Sequence, residues 1–166
     1  MLLTDVDPID TREKVWDIVQ KVKKFIIESE IIFPGKAQLE ISHHYGIDSF
    51  STFGITMLTV INRDYCKKLI VVLPYQKHPE QYHIEKEETF MVLHGTLNLY
   101  IDGEREILSK GDVVTIEKNQ RHKFDAGESG CIIEELSTTH HKEDSFYTDD
   151  TINNNKNRKT IVNYWL

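Results

Sequence analysis

Short runs of β-branched and aromatic residues, separated by turn signals, fill the middle of this chain. Between residues 54 and 139 the runs recur about every 8–12 residues, and no stretch with a helical period lies between them. This spacing is typical of an antiparallel sandwich or barrel. It argues against a parallel α/β sheet, which needs helices between its strands. The runs are ITMLTVI, KLIVVLP, QYHI, ETFMVL, TLNLYID, REILS, DVVTIE, HKFDAG and CIIEELST.

Two tight turns indicate how consecutive runs pair. Asp102-Gly103 predicts a two-residue hairpin between TLNLYI and REIL. Ser109-Lys110-Gly111 predicts a second turn, which leads into DVVTIE. We therefore predict one all-β barrel over residues 54–148.

A helix is predicted ahead of the strands, from Asp10 to Glu30. Asp10 can cap its start, and Glu13 follows three residues later, as in a capping box. Apolar residues recur at helical spacing on one side, so that side must cover an apolar surface on the barrel or on a second subunit. These residues are Val15, Ile18, Val19, Val22, Phe25 and Ile26.

The flanks complete a three-part organisation. Residues 1–53 are predicted to form a helical arm and loop, in which the paired His43 and His44 have no third ligand beside them. We expect these imidazoles to pack in the structure rather than line a site. Residues 149–166 are polar but end in Tyr-Trp-Leu, which is unusual for a disordered tail. We expect this end to dock on the barrel or on a partner subunit.

The composition disfavours several classes of protein. Hydrophobic residues make up 39% and charged residues 28% of the chain, as in globular domains. The net charge of −7 argues against nucleic acid as a partner, and no apolar run approaches the ~20 residues of a membrane span. The acidic start MLLTDVDPID lacks the features of a signal peptide, so we expect a cytoplasmic protein with Cys66 and Cys131 as reduced thiols.

Four polar side chains are predicted to converge inside the barrel. Gln81 and His83 are two residues apart and therefore share one face of a strand. A short turn brings Glu88 back toward His83, and His122 begins another strand after a turn. One amide oxygen, one carboxylate and two imidazoles suit a divalent ion such as Zn, Mn, Fe, Ni or Co.

The spacing of these residues resembles that of the cupin family. The first cupin motif is H-x-H, three or four residues, E, six residues, G, and QYHIEKEETFMVLHG at residues 81–95 is similar to it. The second motif is G, five residues, P-x-G, two residues, H, and GDVVTIEKNQRH at residues 111–122 is similar to it. The resemblance implies a single cupin barrel, a double-stranded β-helix or jelly roll, preceded by the N-terminal helix. It also implies that Gln81, His83, Glu88 and His122 are the metal ligands.

The chain departs from the family pattern at three positions. Gln81 stands where a first metal-binding histidine is usual, and Glu117 and Asn119 replace the Pro and Gly of the second motif. Asn119 still tolerates the left-handed conformation, and Gln is a fourth ligand in some cupins. A metal-free cupin that binds water or a small ligand stays the alternative. His78 could substitute as a ligand, but alternation places it on the opposite face unless the chain kinks at Pro79.

The last predicted strand, CIIEELST, ends in polar residues where a core strand would be apolar. Alternation places Glu135 and Ser137 on one face and Glu134 on the other. An inward carboxylate needs a partner or a task, and we expect Glu135 to lie near the site. The alternative is a structural salt bridge. The candidate partners for that bridge are Lys67, Lys68 and Arg121.

Two closer resemblances point to carbohydrate. Residues 134–150, EELSTTHHKEDSFYTDD, resemble a segment of sugar-isomerase cupins, in particular the D-lyxose isomerase-like group. Several stretches are similar to the cupin module attached to some sialic acid (nonulosonate) synthases. Because no synthase barrel accompanies the module, condensation with phosphoenolpyruvate is not implied. The stretches are SHHYGIDSF, INRDYCKKLIVVLPYQKHPEQYH, KEETF, EELSTTH and NRKT.

The resemblance implies a metal-dependent sugar isomerase or epimerase. A divalent ion can hold the carbonyl and neighbouring hydroxyl of a sugar, act as a Lewis acid and stabilise an enediolate. We expect Glu135 to move the proton between C1 and C2, with Glu88 as the second candidate base. We expect His94, Ser137 and Lys68 to contact the substrate. Such an enzyme would serve sugar or cell-surface polysaccharide metabolism.

The sequence is also compatible with two other functions. A non-catalytic sugar-binding or regulatory module related to nonulosonate synthesis is one, and an iron dioxygenase is a less favoured one. The five arginines and the absence of a Gly-rich phosphate loop disfavour phosphorylated substrates. The apolar helix face and the apolar C-terminal end exceed what one small barrel needs, so we expect a homodimer in which the subunits exchange an arm.

Overall fold

The computed structural model describes residues 8–165, which form one ten-stranded sheet and a long N-terminal helix. Every pairing between neighbouring strands is antiparallel, which confirms the strand-rich antiparallel fold and the N-terminal helix predicted from sequence. The elements are α1 Pro8–Ser29, β1 Leu39–His43, a 3₁₀ turn at Ile47–Ser49, α2 Phe50–Phe53, β2 Gly54–Asn62, β3 Tyr65–Val72, β4 Lys77–Tyr82, β5 Glu88–Ile101, β6 Glu104–Ser109, β7 Val113–Ile116, β8 His122–Thr138, β9 Phe146–Tyr147, α3 Asp150–Asn154 and β10 Lys159–Val162.

The longest strand, β8, organises the sheet. Its 17 residues pair with β5 along one edge and with β4 and then β3 along the other. Glu88 pairs with Ser137 at one end of the β5–β8 ladder, and Ile101 pairs with His122 at the other end. Glu88 Oε1 nevertheless lies 2.9 Å from His122 Nε2. The sheet therefore folds over on itself and brings the two ends of its central ladder together.

Two glycines mark the place where the sheet bends. Gly95 has φ +72° and Gly130 has φ +65°, and the β5–β8 register shifts beside them. A Cβ atom on Gly95 would lie 2.0 Å from the carbonyl oxygen of Gly130. The last residue of the first motif is thus a glycine because only glycine permits this close approach of two strands.

Apolar side chains form two clusters on opposite faces of the sheet. Alternation along β8 separates them, because Cys131 and Ile133 belong to the inner cluster and Ile132 belongs to the outer one. The inner cluster lies between the folded-over parts of the sheet and includes Phe90, Leu97 and Phe124 among its buried members. It forms the apolar floor on which the polar site is built.

The outer cluster is covered by α1. The predicted stripe is confirmed, since Ile18, Val19, Val22 and Ile26 are buried and Val15 and Phe25 pack against them. The helix begins at Pro8, two residues before the predicted start, so Asp10 lies in its first turn and pairs with Lys14 at 2.6 Å. A carboxylate in that turn also complements the partial positive charge of the helix N-terminus.

Three strands, β1, the two-residue β9 and β10, were not predicted from sequence. β1 lies within the predicted loop and pairs with β2 on one side and with the C-terminal β10 on the other. Its five residues LEISH are mostly buried and do not alternate, which hides them from a pattern search. The C-terminal segment packs on the chain's own sheet, where Trp165 Nε1 donates to the Ala37 carbonyl oxygen at 2.8 Å.

The predicted turns are confirmed. Asp102 and Gly103 have φ of +50° and +89°, as a two-residue hairpin requires, and Gly111 has φ +94°. Asn119 adopts φ +66° at the position where the family motif has glycine. Both cysteines are free and buried. Within residues 8–165, no helix combines the length and the apolar character needed to cross a membrane.

Candidate metal centre

Three of the four predicted ligands meet at one point. His83 follows β4, Glu88 begins β5 and His122 begins β8. Glu88 Oε1 lies 3.6 Å from His83 Nε2 and 2.9 Å from His122 Nε2. All three side chains are buried. The sheet folds onto itself and thereby brings His122 to His83 and Glu88, from which it is distant in sequence.

Backbone carbonyls orient the two imidazoles. His83 Nδ1 donates to the Asp144 carbonyl oxygen at 2.6 Å, and His122 Nδ1 donates to the Gln120 carbonyl oxygen at 3.1 Å. A carbonyl oxygen can only accept, so in the neutral rings both Nδ1 atoms carry hydrogen and both Nε2 atoms present lone pairs. This arrangement is typical of metal-binding histidines, whose second nitrogen is held by a hydrogen bond.

The group has the chemistry of a cation site. The two Nε2 lone pairs and Glu88 Oε1 are acceptors that face one another. Neither His83 Nε2 nor Glu88 Oε1 has a hydrogen-bond partner among the described residues. Buried acceptors without a donor are costly, and a divalent ion between them would satisfy all three at once. The residues therefore fit a borderline divalent metal bound by two imidazoles and a carboxylate.

Gln81 lies at the edge of the same group. It pairs with His122 in the β4–β8 register, and its side chain is buried. Its Nε2 atom is 3.5 Å from His122 Nε2. Because the two ends of an amide are nearly isosteric, a rotation of the side-chain amide would place Oε1 there instead. The structure thus puts Gln81 within reach of the metal position.

Lys86 is a site residue that sequence reasoning missed. Its buried Nζ lies 2.5 Å from Glu88 Oε2 and 3.0 Å from Glu135 Oε1, so one ammonium group joins the two inward carboxylates. Burial alone would lower the pKa of Lys86, but the charges of Glu135 and Glu88 outweigh burial and raise it. Likewise, burial opposes ionisation of Glu88, yet the charge of Lys86 holds the pKa of Glu88 well below the usual value. Lys86 and Glu88 are therefore both ionised at neutral pH.

Gln81, His83, Lys86, Glu88 and Glu135 line one pocket. The space that its walls surround, including the opening to solvent, is about 470 Å³. Apolar residues of β2, β3 and the inner cluster form one wall, and β1, β9 and β10 contribute Ser42, Tyr147 and Lys159. His140 lies at the same pocket, where burial and the charges of Lys68, Lys86 and Lys159 lower its pKa to about 3. It is therefore a neutral polar group at physiological pH.

The structure brings some predicted substrate and catalytic residues to the pocket and leaves others outside it. Glu135, Glu88 and Lys68 line it. Neither Ser137 nor His94 is among the residues that line it. Ser137 Oγ donates to the Thr138 carbonyl oxygen at 2.8 Å. The His94 ring packs edge-on against Phe25 of α1, with 5.6 Å between ring centroids.

The charge pairs on β8 differ from those considered in the sequence. Glu134 faces the other side of the strand and pairs with Lys67 at 3.1 Å. Glu135 pairs with Lys86 rather than with Lys67, Lys68 or Arg121. Lys86 was not recognised from sequence because the run of charges around it, EKEE, is typical of a solvated turn.

His78 lies on the inner face, contrary to the alternation argument. The β4–β8 register shifts between His78 and Gln81, so residues three apart share a face at Pro79. The His78 ring stacks on Phe124 with centroids 4.7 Å apart, and it meets the His44 ring edge-on at 4.8 Å. Burial holds the pKa of His78 well below its usual value. It lies outside the three-ligand group and forms part of an aromatic wall.

The paired histidines at the end of β1 are packed in the structure, as expected. His44 is buried, and its Nδ1 donates to the Phe53 carbonyl oxygen at 2.7 Å. His43 Nε2 lies 3.1 Å from Thr160 Oγ1 of β10. Neither lines the pocket that contains the acceptor group.

Asp144 is a second residue that the sequence did not reveal. Its carboxylate accepts hydrogen bonds from the backbone N–H groups of Ile84, Glu85 and Lys86, at 2.8 to 3.1 Å. These bonds outweigh burial and lower the pKa of Asp144. Its carbonyl oxygen accepts from His83. One residue thus holds the β4–β5 turn and the ring of a candidate ligand, from 61 positions away in sequence.

Several proteins of known sequence are similar to this chain over most of its length. The Cupin domain family matches residues 68–139. The D-lyxose/D-mannose isomerase of Thermosediminibacter oceani is 30% identical to this chain, over 86% of the chain and 91% of the relative. The D-lyxose ketol-isomerase of Cohnella laeviribosi is 26% identical over 86% of this chain and 91% of that relative.

Solved structures show a similar fold at low sequence identity. The L-ribose isomerase of Geodermatophilus obscurus superimposes with a TM-score of 0.72 and 13% identity, covering 86% of this chain and 94% of that one. The Cellulomonas parahominis L-ribose isomerase with L-psicose gives a TM-score of 0.70 over the same shares, also at 13% identity. From the domain match and the relative at 30% identity, this chain belongs to the cupin family, among the sugar-isomerase cupins.

Proposed function

We propose that this protein is a metal-dependent aldose–ketose isomerase acting on a small sugar. The observation that carries the proposal is the buried Glu88–Lys86–Glu135 triad next to an acceptor group that fits a divalent cation. The names of the relatives support it, since they include isomerases of D-lyxose and D-mannose. The polar pocket suits a polyol better than an apolar substrate.

His83, Glu88 and His122 would hold the metal, and Gln81 is the proposed fourth ligand through its amide oxygen. The ion would supply Lewis-acid polarisation of the substrate carbonyl. Both carboxylate oxygens of Glu88 are then occupied, because Oε1 faces the imidazoles and Oε2 contacts Lys86. We therefore assign the proton-transfer role to the other carboxylate.

Glu135 is the proposed base that moves a proton between C1 and C2. Lys86 binds its Oε1 atom, and the described residues offer no hydrogen bond to Oε2, which leaves that oxygen for the substrate. The charge of Lys86 would also stabilise negative charge that develops on the sugar oxygens. The apolar wall formed by Phe90 and Phe124 limits access of water to the reacting carbons.

Replacement of Glu135 by Gln tests this role against a matched neighbour. We expect Glu135→Gln to lower kcat by about 10²-fold or more, as loss of a general base does, with the metal content unchanged. Glu134→Gln alters a carboxylate on the opposite face of the same strand and should leave kcat within about twofold of wild type. D-Lyxose and D-mannose are the substrates to assay. Equal losses in the two variants would contradict the assignment.

A non-catalytic sugar-binding module is the second candidate. The orientation of Gln81 favours it, because its Nε2 atom rather than its oxygen is 3.5 Å from His122 Nε2. An amide that donates to His122 would compete with a metal for that lone pair. Tight sugar binding without bound metal and without turnover would support this candidate over the isomerase.

We also propose that the sheet closes into the jelly-roll barrel of the cupin family. The contact between Glu88 and His122 from opposite ends of one ladder supports closure. A crystal structure tests it directly. A closed barrel shields the inner cluster on every side, whereas an open sheet leaves one flank of that cluster in contact with solvent.

A further inference from the structure

We propose that the pocket selects sugars that carry an anionic group, a carboxylate or a phosphate, and that Lys68 is the residue that binds it. The proposal rests on the proposed function, in which this pocket holds the sugar. Because C1 and C2 carry the reacting carbonyl and hydroxyl, the anionic group lies on a later carbon.

Lys68 is a buried cation without an anionic partner. It lies in β3, is only 5% exposed and lines the pocket. No carboxylate among residues 8–165 lies within 4 Å of its ammonium group, and its side chain makes no hydrogen bond to the described residues. The ammonium group keeps some contact with solvent, because it is not one of the fully buried polar atoms that lack a partner. An anionic group of the ligand would give it the charged hydrogen bond that no described residue supplies.

The other lysines of the pocket are already paired. Lys86 is bound by Glu88 and Glu135, and Lys159 contacts Glu40 Oε1 at 2.8 Å. The next residue along β3, Lys67, points to the opposite face and pairs with Glu134. Both inward carboxylates are thus used by Lys86. The formal charges of Lys68, Lys86, Glu88 and Glu135 sum to zero, so a divalent ion at the acceptor group would leave the pocket with a net positive charge.

The position of Lys68 is consistent with a contact to bound substrate. It is paired in register with Glu135 on the adjacent strand, so its side chain begins beside the proposed base. Its backbone also pairs with Thr59 of β2, on the side toward β1 and β10. An ammonium group is a point charge that needs no bidentate geometry, so it can receive either a carboxylate or a phosphate. The scarcity of arginine noted in the sequence does not exclude such a ligand.

Calorimetry on the Mn²⁺-loaded protein tests the proposal with three probes. They are D-mannose, D-mannuronate and D-mannose 6-phosphate, which differ at the terminal carbon. We expect at least one anionic probe to bind about tenfold or more tightly than D-mannose, the size of one charged hydrogen bond. Whether mannuronate or the phosphate binds more tightly identifies the anion.

Three variants assign the preference to Lys68. In Lys68→Met the affinity ratio between anionic and neutral probes should fall to within about twofold, because the charge is gone, while Lys68→Arg should retain most of it. Lys67→Met removes a neighbouring charge on the opposite face and should leave the ratio as in wild type. Melting temperatures establish that each variant is folded before the ratios are compared.

Two results would overturn the proposal. Wild-type protein that binds D-mannose as tightly as both anionic probes has no preference to explain, and this result needs no variant. An equal loss of affinity for all three probes in Lys68→Met would place Lys68 at a part of the sugar that the probes share. The proposed isomerase function fails separately. Absence of turnover with an intact binding preference contradicts the reaction but supports the anionic ligand.

Discussion

At the scale of single residues, the site depends on buried charge that is almost fully compensated. Lys86 forms ion pairs with two carboxylates, and the carboxylate of Asp144 accepts hydrogen bonds from three backbone N–H groups. Such groups tolerate burial only while all partners are present. The candidate ligand His83 is held in the same way, through one hydrogen bond to a backbone carbonyl. Removal of one partner should therefore have a large and measurable effect.

Removal of the Lys86 charge should destabilise the fold. In Lys86→Met two buried carboxylates lose their shared cation, and we expect the free energy of unfolding to fall by about 3–5 kcal/mol. Urea denaturation of the metal-free protein measures it. Lys24→Met is the control, because Lys24 and Glu28 are an exposed pair on α1 and its loss should change stability by less than about 1 kcal/mol. A difference of under 1 kcal/mol between the variants would contradict this prediction.

The low pKa of His44 predicts that the folded state loses stability in acid. Burial lowers its pKa to about 4, whereas the unfolded chain protonates near 6.5. Between these values the unfolded state binds more protons than the folded state, so stability falls as the pH falls from about 6.5 to 4, by up to about 3 kcal/mol from this group. His78 and His140, whose pKa values are also lowered, act in the same direction.

Denaturation midpoints at pH 7, 5.5 and 4.5, measured in EDTA, test the role of His44. We expect His44→Gln to reduce the dependence of stability on pH, because Gln does not titrate. His141→Gln replaces an exposed histidine and should leave the dependence unchanged. The same slope in wild type and in His44→Gln would show that His44 is not the source.

At the scale of elements, sequence periodicity reported α1 and most strands well but gave no information about contacts between distant segments. The cupin spacing predicted His83, Glu88 and His122 as one group, because the family motifs place these residues at fixed intervals in the sequence. Alternation failed at His78, where a bulge at Pro79 resets the period. It could not reveal β1 and β10, which are short and pair across more than 100 residues. Lys86 lies in a turn and Asp144 in a long connection between strands, so neither is part of a periodic sequence pattern.

The segment between β8 and β9 is predicted to hold the metal centre in shape. Asp144 anchors the β4–β5 turn and orients His83, so Asp144→Ala should weaken Mn²⁺ binding by about 10- to 100-fold, as loss of outer hydrogen bonds to a ligand does. Glu143→Ala changes an exposed neighbour and is the control. Calorimetric titration with Mn²⁺ measures both. An unchanged affinity in Asp144→Ala would mean that the turn keeps its shape without this residue.

At the scale of the whole molecule, α1 leaves apolar side chains uncovered on the side that faces away from the sheet. Trp16 is 62% exposed and Ile27 is 70% exposed, and their spacing of three helical turns places them on the solvent side of α1. The C-terminal end, in contrast, is docked on the chain's own sheet. We therefore retain the prediction of a homodimer but place the candidate contact on α1 rather than on an exchanged arm.

Light scattering coupled to size exclusion tests the dimer. We expect wild type to have twice the mass of one chain and Trp16→Glu to shift toward the monomer, because a charge in an apolar contact is unfavourable. Tyr75→Glu, at an equally exposed aromatic residue on the turn before β4, is the control. A monomeric wild-type protein at micromolar concentration would contradict the prediction.

The central proposal is that a bound divalent ion and Glu135 together move a proton at C2 of a sugar. Proton exchange measures this step without knowledge of the final product. Incubated with D-mannose, D-lyxose or an anionic analogue in D₂O, the metal-loaded protein should introduce deuterium at C2 of at least one sugar, as NMR detects. EDTA and Glu135→Gln should each abolish the exchange. No exchange with any of these sugars, or exchange that persists after metal removal, would contradict the account.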